Sequence, residues 1–444
     1  MKKHKISSYI PIFLSISILI YTLYRSEIYW DGGKREYYYY FYLFSGILIL
    51  FSVFYLFLEK RIKIYITITL VTSIFCFYFF EAYLLLENSL CNKSCKKNLI
   101  YEKDTGKKYD NRKRFEAYSD LKKELNELVP LASPAAFVLQ NETSIFPFSG
   151  ISNSITFGCN ENGYYSKYKS DRYGFNNPDG EWDKKEFEYV LVGDSFTNGA
   201  CVNRPNDTGS VLRKLSKKNV LNLGYNGNGP LIEYAVLREY LPKNVKNILW
   251  MYFEGNDIAG LQKELTSKIL VKYLDDINYS QDLVNKVDKI DKILIKKLND
   301  VIKKKEAKEK INVKTLKILK FIKLENLRNM LIKYPAKQAV PNNKFEEVLK
   351  LAKKISIENN SNLYFVYLPR YSRYTKKYNN SSYNEIKKII QKLNIELIDI
   401  HKEVFAVQEN PLNLFPFEMY GHYNQLGYKK IAEHIFKKIS NNNY

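Results

Sequence analysis

Hydrophobic and polar positions follow two different regimes along this chain. The first 87 residues hold three long apolar segments, from about Ser7 to Tyr24, about Tyr38 to Leu58 and about Ile64 to Leu86. A helix crosses the hydrocarbon core with ~20 apolar residues. The pattern therefore predicts an anchor with three transmembrane helices over residues 1–87. Lys2, Lys3 and Lys5 ahead of the first segment also suit a signal peptide, but no small-residue cleavage pattern precedes the next span, so a retained helix is expected. Basic residues at the start and at Lys60, Arg61 and Lys63 place those ends inside. Three crossings then put the remaining chain on the outer side of a bacterial cytoplasmic membrane. Glu81, near the outer end of the third span, reads as a solvated interfacial acid.

The second regime begins at about residue 188. Short apolar runs recur there: YVLVG (Tyr189 to Gly193), NVLNLG (Asn219 to Gly224), NILWMYF (Asn247 to Phe253), LYFVYL (Leu363 to Leu368) and IELIDI (Ile395 to Ile400). Runs without alternation suit strands buried on both faces. Helical stretches separate them, among them Leu231 to Tyr240, Phe345 to Asn359 and Tyr383 to Leu393. Strands alternating with helices predict right-handed crossovers and a parallel five-stranded sheet in an α/β domain over 188–444. In such sheets a site forms at the carboxyl ends of the strands.

One stretch, about 261–341, shows no strand pattern. Leu283, Val287, Ile290, Leu294, Leu298 and Val301 recur at helical spacing, and 14 Lys face five acids between Lys286 and Lys323. This predicts a helical insertion packed on the core with a solvated basic face; the alternative is a helix lying on an anionic membrane surface. Residues 88–187 read as a connector and lead-in, with a polar helix from about Arg112 to Leu128 and a Gly/Asn/Tyr-rich stretch ending in SDRYGFNNPDG.

Charge changes this picture little. The formal net charge is +22, from Lys+Arg 69 against Asp+Glu 47. The excess forms no compact basic motif, and no zinc-finger, RNA-recognition or helix-turn-helix signature is present, so nucleic acid is not an expected partner. Five cysteines at irregular spacing (Cys76, Cys91, Cys95, Cys159 and Cys201) are no disulfide framework, although Cys91 and Cys95 can pair in an oxidising space. No metal site and no cofactor motif are expected.

The strand ends carry the candidate chemistry. The first run ends in Gly193-Asp194-Ser195-Phe196-Thr197-Asn198-Gly199. A Ser at a strand-to-helix turn, beside amides that favour negative charge, suits a nucleophile whose attack creates an oxyanion. The second run ends at Gly224, where a backbone N–H is unhindered; the third leads to Asn256, a candidate side-chain donor or helix cap. Of the four histidines, His4, His401, His422 and His434, only His422 lies in a loop suited to a general base, within GHYNQLGY.

These four ordered blocks (GDSFTNG, NLG, GND and GHYNQLGY) resemble those of the SGNH/GDSL hydrolase superfamily, over about Glu188 to Ile439 apart from the insertion. The resemblance implies a flavodoxin-like three-layer α/β/α fold, with Ser195 as nucleophile and His422 as its base. It also implies an oxyanion hole made by the amides of Ser195 and Gly224 and the side chain of Asn256. Two positions depart from the family pattern. Glu254 replaces the first Gly of the third block, and Met419 stands where the acid usually precedes the His by three residues. Glu418 is the candidate third triad member; the alternative is a Ser–His dyad oriented by a backbone carbonyl.

The reading is a membrane-anchored serine esterase acting on acyl groups, acetyl foremost, of an extracytoplasmic glycan, with the lipid bilayer and the acylated glycan or another ester as partners. An O-acyltransferase supplied by a membrane acyl-donor protein uses the same acyl-serine. A non-catalytic glycan- or partner-binding scaffold is the third reading, favoured by Met419 and opposed by the joint presence of Ser195, Gly224, Asn256 and His422.

Overall fold

The structure is a computed structural model, described here except for residues 1–2, 31, 33–34, 90–92, 135–144, 310–312, 332–338, 376–377 and 442–444. The pairing of Cys91 with Cys95 falls outside the described residues, because Cys91 does. In chain order the first helices are α1 (Lys3–Leu23), α2 (Arg35–Phe57), α3 (Lys60–Ser89), α4 (Lys93–Thr105) and α5 (Arg114–Glu124). Then come β1 (Leu128–Pro130), β2 (Ile155–Phe157), β3 (Lys167–Lys169), β4 (Phe187–Gly193), α6 (Ser195–Asn198), α7 (Thr208–Ser216) and β5 (Val220–Asn222). After these follow α8 (Pro230–Tyr240), β6 (Val245–Phe253), α9 (Asp257–Glu264), α10 (Lys268–Asp275), α11 (Val287–Glu309), α12 (Val313–Ile322) and α13 (Glu325–Leu331). The chain closes with α14 (Asn343–Glu358), β7 (Asn362–Leu368), α15 (Ser381–Lys392), β8 (Glu396–Asp399) and α16 (Gln425–Asn441).

Two compact units result. One comprises Met1–Leu90 together with Val313–Lys333, the other Cys91–Asn312 together with Tyr334–Tyr444. In the first, three helical stretches are long and apolar enough to cross a membrane: Pro11–Tyr29, Arg35–Phe57 and Lys60–Glu87. Ser15 and Thr22 on α1, and Ser45 and Ser52 on α2, are buried, and each hydroxyl returns to a carbonyl of its own helix. Small residues seven apart let two helix backbones approach closely without a polar cost. Glu81 is not a solvated acid: it is fully buried, and its carboxylate accepts from the Asn326 N–H (3.0 Å), the Asn326 amide (2.9 Å) and the Leu327 N–H (2.8 Å) at the start of α13. Tyr78 donates to the Ile322 carbonyl at 2.9 Å. The carboxylate satisfies helix-end donors that apolar surroundings leave unpaired. The sequence insertion therefore divides. Leu270, Leu283, Ile290 and Leu294 join the α/β core, while Val313–Lys333 folds with the apolar helices.

The second unit is built on five parallel strands in the order β5-β4-β6-β7-β8, and all five predicted runs form them. Alternate residues of each strand feed opposite faces. Val190, Val192, Ile248, Trp250 and Phe365 pack against α8, α14 and α15; Tyr189, Leu191, Leu249, Met251 and Val366 pack against α7 and α16. This is a three-layer α/β/α arrangement of flavodoxin-like order, in which the strand order reverses at β4. A small sheet, β1-β2-β3, is an addition that the sequence pattern did not reveal. Its three-residue strands are too short to show alternation, and the helix expected to Leu128 ends at Glu124 because Leu128 pairs with Ile155.

Candidate active site

The reversal point of the sheet carries Ser195, the first residue of α6, directly beyond β4. Asp194 caps this short helix: its carboxylate accepts from the Phe196 N–H at 2.8 Å. The Ser195 amide thus belongs to a first helical turn, whose N–H groups lack intrahelical acceptors. Asp194 is fully buried, which pushes its carboxyl up to about 6.

The lead-in holds this turn in place. Asn176 donates to the Asn198 carbonyl (2.8 Å), and Asn177 donates to the Asn222 carbonyl (2.9 Å) while accepting from the Asn222 N–H (2.8 Å). Asn222 in turn donates to the Thr197 carbonyl at 2.7 Å. Asp171 anchors the lead-in through the Tyr173 and Phe175 N–H groups, the Asn177 amide and the Trp182 indole. The Asn-rich stretch is therefore a buried amide network, which fixes strand ends in a way that apolar packing does not.

His422 is presented by the loop before α16. Tyr423 is buried and donates to the Pro369 carbonyl at 2.6 Å, and Asn424 accepts from the Gly427 N–H at 2.9 Å. Tyr428 is buried and donates to the Ala200 carbonyl at 3.2 Å. The Tyr-Asn-x-x-Gly-Tyr pattern thus seats the loop and starts the helix. His422 Nε2 lies 2.9 Å from Ser195 Oγ. Phe196 stacks on Phe253 at 3.7 Å and lies 4.7 Å from the imidazole, forming an apolar wall beside it.

The carboxylate on the other imidazole nitrogen is Glu161. Its oxygens stand 3.1 and 3.2 Å from His422 Nδ1, and one also accepts the His422 backbone N–H. The Glu418 reading is corrected accordingly. Phe417 and Glu418 both take a left-handed φ of 54°, and the Glu418 carboxylate accepts from Asn410 at 3.1 Å. The backbone-carbonyl alternative is superseded by the same contact. The His422 and Glu161 side chains keep 23% and 24% of their exposure, so the pair is partly desolvated yet reachable. Burial opposes the charge on both groups, but their hydrogen bonds and mutual attraction prevail: Glu161 is held below its ordinary value and His422 above.

The other candidates fare differently. The Gly224 N–H donates to Asn222 Oδ1 at 2.9 Å, so it is a committed donor rather than a free one. Its lack of a side chain serves close packing, since a Cβ there would meet Thr197 Cβ at 2.4 Å. Asn256 makes no side-chain cap on α9, and its amide faces Asp194 next to Ser195. Asp257 instead accepts from the Phe253 N–H at 2.8 Å. Glu254, the departure in the third block, is buried against Arg373. Its oxygens also accept from the Tyr367 hydroxyl (2.5 Å) and the Arg370 N–H (2.8 Å). His401 pairs with the Tyr374 hydroxyl and His434 with Glu403, so both have structural partners.

Sequence reasoning missed Glu161 and the disulfide Cys159–Cys201, which flanks it. The available signal was a pair of cysteines, one just before an acid and one six residues after Ser195, in a domain expected to be extracytoplasmic. Cys159, Cys201 and His422 lie close enough to suggest a metal site, but the two sulfurs are bonded to each other and offer no thiolate. Beside the site lies a cleft of about 930 Å³ whose lining includes Tyr101, Tyr164, Phe417, Asn162, Asn424 and Gln425.

No protein-family model matches the sequence, and no curated protein matches it. Among solved structures, a protein described as lipolytic, of the G-D-S-L family, from Desulfitobacterium hafniense is similar at 16% identity and a TM-score of 0.31, over 57% of this chain and 99% of its own. The lipase/acylhydrolase from Enterococcus faecalis is similar at 16% identity and a TM-score of 0.31, over 58% of this chain and 96% of its own. An acetylxylan esterase from Geobacillus stearothermophilus is similar at 12% identity and a TM-score of 0.30, over 57% of this chain and 94% of its own.

Proposed function

We propose that this chain is a membrane-anchored serine esterase of the SGNH/GDSL kind, which removes acyl groups, acetyl foremost, from an extracytoplasmic glycan. The observation that carries this reading is the continuous line from Ser195 Oγ through the His422 imidazole to the Glu161 carboxylate. Glu161 holds the proton on Nδ1, which leaves Nε2 free to accept the Ser195 proton. Ser195 Oγ then attacks the ester carbonyl, and the developing oxyanion meets the Ser195 amide and the Asn256 side chain. The imidazolium, stabilised by Glu161, returns its proton to the leaving sugar oxygen. An acyl-serine remains. Water, deprotonated by His422, attacks it, releases the acid and restores Ser195.

The adjacent cleft supports the glycan. Aromatic faces pack on the apolar faces of sugar rings, and side-chain amides pair with hydroxyls. The three apolar helices supply the anchor, and the basic ends of the first and third spans argue for an outer location of the site. The test is p-nitrophenyl acetate hydrolysis by the full chain, followed by acetate release from acetylated polysaccharides. Activity lost in both Ser195→Ala and His422→Ala supports the reading, and equal inactivity of wild type and variants sinks it.

A second reading is an O-acyltransferase modifying an exported polysaccharide, with a sugar hydroxyl replacing water at the acyl-serine. It is favoured by the contribution of Val313–Lys333, an insertion in the α/β part, to the unit of apolar helices. That arrangement serves an enzyme charged by a membrane-bound donor better than one that meets soluble esters. Deletion raises glycan acetylation if the chain hydrolyses and lowers it if the chain transfers.

A further inference from the structure

Glu161 belongs to neither a strand end nor a helix. It sits in an irregular loop, 261 positions before the histidine that it contacts. A loop carboxylate aligns an imidazole only if the loop is fixed. Here both sides of Glu161 are attached to one residue. Cys159, two positions before it, is bonded to Cys201, and Asn162, one position after it, donates to the Cys201 carbonyl at 3.0 Å. Cys201 is buried, follows the nucleophile helix by three residues, and places its sulfur 3.5 Å from His422 Nδ1. The neighbouring contacts are hydrogen bonds only: Asn160 donates to the Asp110 carbonyl at 2.8 Å and accepts from the Gly163 N–H at 3.0 Å, and the Tyr164 hydroxyl accepts from Gln425 at 3.2 Å.

We infer that the Cys159–Cys201 disulfide is a positioning device that seats Glu161 on His422, so that the site works as a three-member relay only while the bridge is closed. The inference rests on reading Ser195, His422 and Glu161 as the catalytic line. Opening the bridge takes a dithiol or phosphine reductant. The S–S bond breaks, each sulfur gains an electron and a proton, and the reductant is oxidised by two electrons. The loop is then left without its covalent tie, and hydrogen bonds remain: from Asn162 to the Cys201 carbonyl and from the His422 N–H to Glu161 itself. An extracytoplasmic site suits the bridge, since disulfides persist in oxidising compartments.

The test reads His422 directly and so does not depend on finding a substrate. Histidine-labelled full chain is titrated by NMR, with His422 assigned by His422→Ala, as wild type and as Cys159→Ala/Cys201→Ala. The double variant prevents a new thiolate from pairing with the imidazolium. The groups that face His422 are Glu161 and Asp194; Lys97 on α4 acts on Glu161, and Tyr109 and Tyr428 lie near these carboxylates as neutral phenols. The expected result is a fall of the His422 midpoint in the double variant, with kcat on p-nitrophenyl acetate about 100-fold lower, as a shift of order 1 Å in a catalytic geometry produces. Cys95→Ser, which leaves the Cys159–Cys201 bridge intact, changes neither. An unchanged His422 midpoint in a folded double variant overturns the inference, even if the chain proves not to be an esterase. If the double variant does not fold, wild type is reduced stepwise and bridge opening is counted by thiol mass-tagging. Activity must then fall in proportion to open Cys159–Cys201, and full activity with the bridge open overturns the inference.

Discussion

Replacing Glu161 by Gln removes one charge at nearly constant shape. The wild-type carboxylate lies 3.1 Å from His422 Nδ1. At that distance an effective dielectric of ~20 gives about 5 kcal/mol between carboxylate and imidazolium. Both side chains keep roughly a quarter of their exposure, so the working value is lower, about 4 kcal/mol, which is about 10³-fold in rate. Gln also offers an amide N–H to Nδ1. That draws the proton to Nε2, where it blocks acceptance of the Ser195 proton; a wrong tautomer of this kind costs up to ~10⁴ in kcat. The assay is kcat and KM for p-nitrophenyl acetate on the full chain, beside Glu418→Gln. A loss of about 10³- to 10⁴-fold in kcat with little change in KM is expected for Glu161→Gln, and less than about twofold for Glu418→Gln. A Glu161→Gln enzyme within threefold of wild type, or a Glu418→Gln enzyme that is dead, refutes the assignment.

Further outcomes follow from the same geometry. His422 is held above its ordinary 6.5, so the acid limb of the kcat/KM profile lies above that pH. Because the neutral imidazole is the base, removing Glu161 moves this limb to lower pH while lowering the plateau. Glu254→Gln leaves the buried Arg373 guanidinium without its counter-charge and is expected to cost about 3–5 kcal/mol in urea unfolding, with little change in activity per folded molecule. Gly224→Ala drives a Cβ against Thr197 Cβ and is expected to lower both stability, by about 1–3 kcal/mol, and kcat, because the nucleophile turn must shift.

The five core strands were legible because each is a short apolar run buried on both faces, and such runs announce themselves locally. Ser195 and His422 were legible for the same reason: each stands at a strand or helix end with local turn chemistry, and the structure places them 2.9 Å apart. The acid was not. Spacing pointed to Met419 and its neighbour Glu418, whereas the contact comes from a loop 261 positions upstream, and no local pattern encodes it. For Gly224 the oxyanion role came from the family resemblance; the Asn222 side chain that takes up its N–H is visible only in three dimensions. Val313–Lys333 reads as one more stretch of a basic helical insertion, yet it folds with the apolar helices because Glu81 and Tyr78 supply partners for its backbone. Apolar periodicity reports that a face is buried, not against which element.

The most direct measurement is peptide mapping by mass spectrometry after treating the full chain with a fluorophosphonate, beside Ser195→Ala and His422→Ala. One adduct is expected, on Ser195, absent from the first variant and strongly slowed in the second. An unlabelled wild type, or labelling that ignores both substitutions, contradicts the Ser195–His422 assignment.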